Sequence, residues 1–231
     1  MKRFFAFVAT IVLLTSCSKV GQKFDQTNSG SPGTTVTTSS DNSTKSGGTS
    51  TASTSTSTSA DLGGAEVERP SPTDAQKAAL EGGQEIKWDQ QGISWTVPKN
   101  WVKQTVDTKM FFWHSSGGGD LASLIVNISP MADDFPTDIS LKAYYDSSVT
   151  RKKNGEVEEV RWLELDGVRG VAFREAMPEG KDDPRRLQWI TYRKFAGQTQ
   201  MVNLMLATAG KSFEKNQDTF YGILYSTKLV H

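Results

Sequence analysis

The chain has 231 residues, with 26 basic and 26 acidic side chains, two histidines and one cysteine. The even charge balance excludes the basic footprint of a nucleic-acid-binding protein or of a polybasic membrane-surface protein. A single cysteine excludes an internal disulfide, so the core alone must hold the fold.

At the N-terminus, Lys2 and Arg3 precede an apolar run of eleven residues, Phe4 to Leu14. That length suits a secretory h-region and falls short of a bilayer span, which takes about 20 residues. Leu14-Thr15-Ser16-Cys17 closes the run with an aliphatic residue, two small residues and the cysteine. The arrangement resembles a bacterial lipobox, with residues 1–16 a signal peptide cut between Ser16 and Cys17. The resemblance implies a diacylglyceryl group on the Cys17 sulfur and a further palmitate-type chain on its new amino group. Each buried methylene contributes about 0.8 kcal/mol, and two or more chains hold stably. It places the protein in the bacterial cell envelope, with a lipid bilayer as partner. Ser18, where an aspartate would mean inner-membrane retention, favours the outer membrane if the cell has one. An acylated Cys17 leaves no thiol for zinc or for nucleophilic chemistry. Removal of Lys2 and Arg3 leaves two more acids than bases.

Residues 17–83 read as a tether. Of the 26 residues from Thr34 to Ser59, 19 are Ser or Thr, and Val36 is the only sizeable aliphatic. Such a segment buries too little apolar area to offset its ordering entropy. About 50 flexible residues reach about 40 Å on average and about 170 Å fully stretched. Asn42-Ser43-Thr44 matches a glycosylation acceptor, read as chance in a bacterial chain. The tether ends in a candidate short helix, 72–81, with Ser71 as N-cap, Pro72 at the first position and Gly82-Gly83 as its stop.

From Gln84 the composition changes, and residues 84–231 read as one globular domain. Ile93, Trp95 and Val97 alternate with Ser94 and Thr96, the period of a half-buried strand. Pro98-Lys99-Asn100 signals a turn. Met110–His114 and Leu124–Ile128 read as strands on either side of Gly117-Gly118-Gly119. A helix from Ser140 carries Leu141, Tyr144, Tyr145, Ser148 and Val149 at helical spacing. Arg151, Lys152 and Lys153 suit its last turn, and Asn154-Gly155 ends it. Asp166-Gly167 signals a type I′ hairpin whose arms carry Val160, Trp162, Val171 and Phe173. Leu187–Phe195 and Met201–Ala207 pair through Gly197, with Met201 and Met205 assigned to the core. A last helix from Ser212 packs Phe213, Phe220, Ile223, Leu224 and Thr227. Antiparallel strands with helices on the faces make an α+β domain, and about 145 residues bury about 70% of their unfolded surface.

The run Ile93-Ser94-Trp95-Thr96-Val97-Pro98-Lys99-Asn100-Trp101 is similar to the opening strand and turn of PsbP-like domains. The later helix with a tyrosine pair, the aromatic strand with Trp189 and Tyr192, and the ending Phe220, Ile223, Leu224, Ser226 also resemble that family, over about residues 85–231. Where the family often has Gly before the Trp, this chain has Asn100, which tolerates a left-handed backbone. The resemblance implies a central antiparallel sheet flanked by helices, an α/β/α sandwich. It also implies an adaptor, chaperone-like or binding role rather than catalysis.

The residues supply no catalytic set. His114 reads as a strand-end surface histidine and His231 is the last residue. No G-x-S-x-G motif is present, and Gly117-Gly118-Gly119-Asp120 lacks the Lys-Ser/Thr of a phosphate cradle. Asp133, Asp134 and Asp138 lack the spacing of a calcium loop, and Asp134 and Asp138 suit a helix N-terminus. Glu179, Asp182 and Asp183 form an acidic loop. No cofactor and no metal are expected. The expected function is a tethered binding or scaffolding module for an envelope protein or polymer. A small-ligand or lipid carrier, or a carboxylate-dependent envelope hydrolase, are the alternatives. Recognition is expected in loops 115–120, 131–136 and 178–184, with Phe135, Met131 and Trp113 as anchor candidates.

Overall fold

The computed structural model describes residues 66–117 and 119–230. Cys17, the cleavage point, the Ser/Thr-rich stretch, Gly118 and His231 lie outside the described residues. In chain order the elements are β1 (Val67–Glu68), α1 (Asp74–Ala79), β2 (Gln84–Trp88), β3 (Ile93–Val97), β4 (Trp101–Val106), β5 (Met110–Ser115), β6 (Ser123–Pro130) and α2 (Thr137–Lys153). They continue with β7 (Val157–Leu165), β8 (Val168–Glu175), β9 (Pro184–Phe195), β10 (Gln198–Ala209), α3 (Gly210–Tyr225) and β11 (Lys228–Leu229). Eight strands form one sheet in the order β1-β7-β8-β9-β10-β6-β5-β4, and β11-β3-β2 form a second, smaller one. All pairs are antiparallel except β1 with β7. The domain is α+β, a large sheet with helices on both faces.

Local chemistry sets the two long hairpins. Asp166 and Gly167 both have positive φ (47° and 81°), the backbone of a type I′ turn, and they bring Trp162 opposite Val171 and Val160 opposite Phe173. Ala196 and Gly197 repeat this conformation (48° and 82°) between β9 and β10. Asn100 is not left-handed, as Asp166 and Ala196 are the only non-glycine residues of positive φ among those described. It contributes by donating from Nδ2 to the Ser116 carbonyl at 3.3 Å.

One face of the large sheet is closed by α3 and the small sheet. Trp88, Trp95, Trp189, Phe111, Leu124, Leu204, Phe213 and Phe220 are all fully buried there. A cation also lies inside: Arg185 is 1% exposed, stacks 4.5 Å from the Phe213 ring and pairs with Glu158 and Glu214, both at 2.7 Å. On the other face α2 sets Leu141 and Tyr145 onto Trp162, Val171, Phe173 and Ile190, with the Tyr145 and Trp162 rings stacked at 4.7 Å.

Three helix starts differ from the sequence reading. The short helix is capped by Thr73, not Ser71, through a capping box with Gln76. The second begins at Thr137, where Pro136 sets the entry, and the third at Gly210 rather than Ser212. Packing also begins before the composition changes at Gln84. β1 joins the sheet edge, Arg69 grips Glu164 with two bonds of 2.8 Å, and Glu68 accepts from Arg161 at 2.8 Å. Behind it, Leu80 packs against the core.

Candidate functional site

The sheet is wider than one helix can cover. Eight strands about 4.8 Å apart span about 34 Å, whereas a helix with its side chains is about 10–12 Å across. On the α2 face the helix packs over β7, β8 and β9. Among the described residues α2 reaches β10 at Met201, and no helix packs over β6, β5 and β4 there, because α3 and the small sheet occupy the opposite face.

Register fixes what this open face displays. Met205, Ile125, Phe112 and Thr105 form one cross-strand row; Asn203, Asn127 and Met110 form the next; Ala207, Ser123, His114 and Val102 a third. The alternate residues Leu124, Val126, Leu204 and Leu206 point into the core. Met201 and Met205 therefore lie on the α2 side of the sheet and are half-buried; Met201 packs against the core beneath α2, as expected of a core residue, and Met205 belongs to the open face. Among these residues His114 is the only ionisable side chain, in a chain that is 23% charged. Its Nδ1 lies 2.8 Å from the Ser115 carbonyl and its Nε2 lies 3.2 Å from Gln104 Oε1.

A step of aromatic and sulfur groups joins α2 to this face. The Phe135 ring packs 5.3 Å from Tyr192, and the Tyr144 hydroxyl donates to Met201 Sδ at 3.7 Å. Burial, followed by the neighbouring Tyr144, holds the Tyr192 phenol above the usual tyrosine range. Two hollows share Tyr192. One of about 340 Å³ is lined by Ser140, Ala143, Tyr144 and Ser147 of α2. The other, about 410 Å³, is bounded by Thr137, Asp138, Arg169 and Lys194, with Arg169 paired to Asp138 at 3.0 Å. Residues 140, 143, 144 and 147 form a single stripe of the helix, so the flank of α2 that meets the open face is made of small residues and one tyrosine.

The sequence-predicted anchors separate. Phe135 lies on Tyr192. Met131 is half-buried at the same end and is held by its backbone N–H to the Thr199 carbonyl at 2.8 Å. Trp113 lies on the opposite face, packed against the core and stacked on Phe111 at 6.1 Å. Of the three loops, 115–120 and 178–184 meet at the start of α3. There Lys211 pairs with Asp182 (2.5 Å) and Asp120 (3.4 Å), and Asp120 accepts from Ser212 at 2.7 Å. These contacts hold the Asp120 carboxyl below its ordinary range, the Ser212 bond first among them. Loop 131–136 sits at the other end of the sheet, beside Tyr192.

The remaining polar cluster is internally paired. Arg161 lies over Tyr221 and Tyr225 and donates to the Tyr225 hydroxyl at 2.6 Å, while Tyr221 donates to Glu159 at 2.7 Å. Burial first, then the Glu159 charge, push the Tyr221 phenol far above its usual range. This cluster braces β7 and β8 against α3. Among the described residues no three His, Cys, Asp or Glu side chains converge as a metal site requires.

Sequence reasoning missed Tyr192, Ile125, Phe112 and Met205 as a surface group. A signal was present in β6, where Ile125 interrupts an otherwise polar outward row of Ser123, Asn127 and Ser129.

No family model matches the chain, and no curated protein matches it. Among solved structures it is similar to LpqN of Mycobacterium tuberculosis, described as involved in cell envelope biogenesis, at 13% identity and TM-score 0.47, over 64% of this chain and 86% of that one. It is also similar to the cyanobacterial PsbP protein, CyanoP, of Synechocystis at 17% identity and TM-score 0.39, over 64% and 92%. A protein of Bacteroides thetaiotaomicron is similar at 8% identity and TM-score 0.39, over 64% of this chain, which spans 49% of that protein.

Proposed function

We propose that this chain is a lipid-anchored envelope protein whose domain binds a partner through the open sheet face beside α2. Acyl chains on Cys17 hold it to a bilayer, the outer membrane in a cell with two, and the Ser/Thr-rich stretch gives the domain reach. The observation that carries the reading is the composition of that face: methionine, aromatic and amide side chains at its centre, with the charged groups at its border, where Arg186 lies opposite Ala207 and pairs with Glu175. Interface cores show the same bias, enriched in aromatics and Met and depleted of Lys, Glu and Asp. Phe135 and Tyr192 supply the aromatic anchor at its edge. The partner is an envelope protein or polymer.

Two measurements test this. Cys17→Ser should move the protein from the membrane pellet to the soluble fraction; retention in the pellet overturns the anchoring. In cells treated with a short crosslinker, the parent protein should give a discrete higher-mass adduct. Phe135→Ala and Met205→Glu should each weaken that adduct at unchanged melting temperature. Adducts of parental intensity in both variants overturn the assignment of the surface.

A further inference from the structure

We propose that Arg193 is the binding site of a small oxyanion that keeps one proton, hydrogen carbonate or hydrogen phosphate. The site lies on the α3 side of the sheet, away from the open face, and goes beyond the binding role proposed above. Two arginines of β9 are built alike. Arg185 and Arg193 both occupy odd positions of the strand and so share one side of it. They are 1% and 8% exposed, and their guanidinium groups lie 4.5 Å and 4.6 Å from the rings of Phe213 and Phe195. Arg185 is neutralised by Glu158 and Glu214, each at 2.7 Å. Arg193 pairs with no carboxylate among the described residues. Its Nη2 donates to the Gln91 carbonyl, while Nε and Nη1 are enclosed and find no acceptor among the described residues. Burial, with no neighbouring charge to offset it, pushes this guanidinium down to about 10. A buried charge is costly unless it is paired, so the second arginine calls for an anion that the first already has.

The neighbour across the ladder narrows the chemistry. Gln200 stands directly opposite Arg193 and is 5% exposed. A chain of bonds orients its amide. The Thr108 carbonyl can only accept, which fixes Gln91 Nε2 as its donor at 2.8 Å. Gln91 Oε1 then accepts from Gln200 Nε2 at 3.0 Å. Gln200 Oε1 is the end left over, enclosed and without a donor among the described residues. A ligand that completes the site brings negative charge and an acceptor to Arg193 and a donor to Gln200. Chloride and an ionised carboxylate have no donor. Water supplies both hydrogen bonds and leaves the charge unpaired. An oxyanion with a hydroxyl group meets all three demands. Gln91 touches both groups, so the anion also ties the turn at Asp89–Gln91 to the sheet.

The test uses the purified full-length protein at neutral pH, with ionic strength held constant by methanesulfonate. Its melting temperature should rise along a saturating curve with added bicarbonate or phosphate and stay level with added chloride. Equilibrium dialysis against labelled bicarbonate and labelled phosphate, one at a time, shows which of the two it holds. Arg193→Gln should bind that anion at least about tenfold more weakly, the loss of a charge-assisted bond. Gln200→Leu keeps the cation and removes the acceptor, so it should lose the preference over chloride; this variant decides the matter if Arg193→Gln does not fold. An equal response to chloride in the parent overturns the proposal, as does parental binding in Arg193→Gln or parental selectivity in Gln200→Leu. A melting temperature indifferent to every anion also overturns it and leaves water as the partner of both groups.

Discussion

Gly170 is the position where one added carbon should cost most. A Cβ built there would stand 2.4 Å from Nε1 and 2.6 Å from Cε2 of Trp189, and 2.7 Å from the Ile190 carbonyl oxygen. Comfortable contact begins at about 3.5 Å, so the overlap is about 1 Å against both a ring and a backbone. Trp189 is 0% exposed and donates from Nε1 to the Leu163 carbonyl at 3.1 Å, so its ring cannot swing aside freely. Overpacking of this kind costs about 1–3 kcal/mol. If the indole shifts, its buried hydrogen bond is lost at about 1–3 kcal/mol more. Gly170→Ala should therefore destabilise the domain by about 2–6 kcal/mol, read as a lower urea midpoint at unchanged m-value. Trp189→Leu removes the ring atoms that collide and leaves only the Ile190 carbonyl in the way. The double variant should then lie closer to Trp189→Leu alone than additivity allows, by more than about 1 kcal/mol. A Gly170→Ala protein within about 0.5 kcal/mol of the parent, the scatter of ordinary surface changes, would refute the packing argument.

Ala196 holds a left-handed backbone (φ 48°) that costs a non-glycine residue about 1–2 kcal/mol; Ala196→Gly or Ala196→Asn should raise the melting temperature by a few degrees, and a fall would show that the methyl group matters elsewhere. Asp107 accepts the backbone N–H groups of Lys109 and Met110 at 2.7 and 2.8 Å, which hold its carboxyl below the ordinary range. Its contribution is present above the unfolded pKa of about 3.9 and disappears as pH falls through the lower folded value. Asp107→Asn should thus be less stable at neutral pH and lose less on acidification, and parallel pH–stability curves would reject this. A fragment starting at residue 66 should outlast one starting at residue 84, because the shorter one loses β1 and bares the Leu80 contact; Val67 and Leu80 are half-buried, worth about 2–4 kcal/mol together. Equal denaturation midpoints would show that this segment adds nothing.

What the sequence discloses and what it hides divide along physical lines. The Asp166-Gly167 hairpin is legible because a single dipeptide dictates both φ angles. β3 and β6 are legible because one face is fully buried and the period shows. β4 is not: after Trp101 its side chains are all exposed, so Val-Lys-Gln-Thr-Val carries no alternation of burial. β1 and β11 are two residues each, too short for any period. The site is harder still. That β9 and β10 exist can be read locally, but the side on which Met201 and Met205 emerge depends on where α2 and α3 settle. Phe135 meets Tyr192 only because α2 enters beside β9, a contact spanning fifty-odd residues of chain. Thr73-x-x-Gln76 was readable as a capping box and sets the helix start more firmly than the Ser-Pro pair before it.

The N-terminal strand also has a mechanical meaning. Whatever load arrives through the N-terminal segment reaches β1 before any other of the described elements. β1 is held by two residues of parallel pairing and by two ion pairs, Arg69 with Glu164 and Glu68 with Arg161, in each of which the partner from the N-terminal segment is exposed; exposed ion pairs contribute about 0–1 kcal/mol each. This is the weakest seam of the sheet. If it parts, the stretch from Val67 to Thr73 can pay out as about 23–25 Å of slack chain before tension falls on α1 and Leu80, which pack on α3 and the core. The domain meets the outside world through a yielding link that gives way first and can re-engage once the strain is gone.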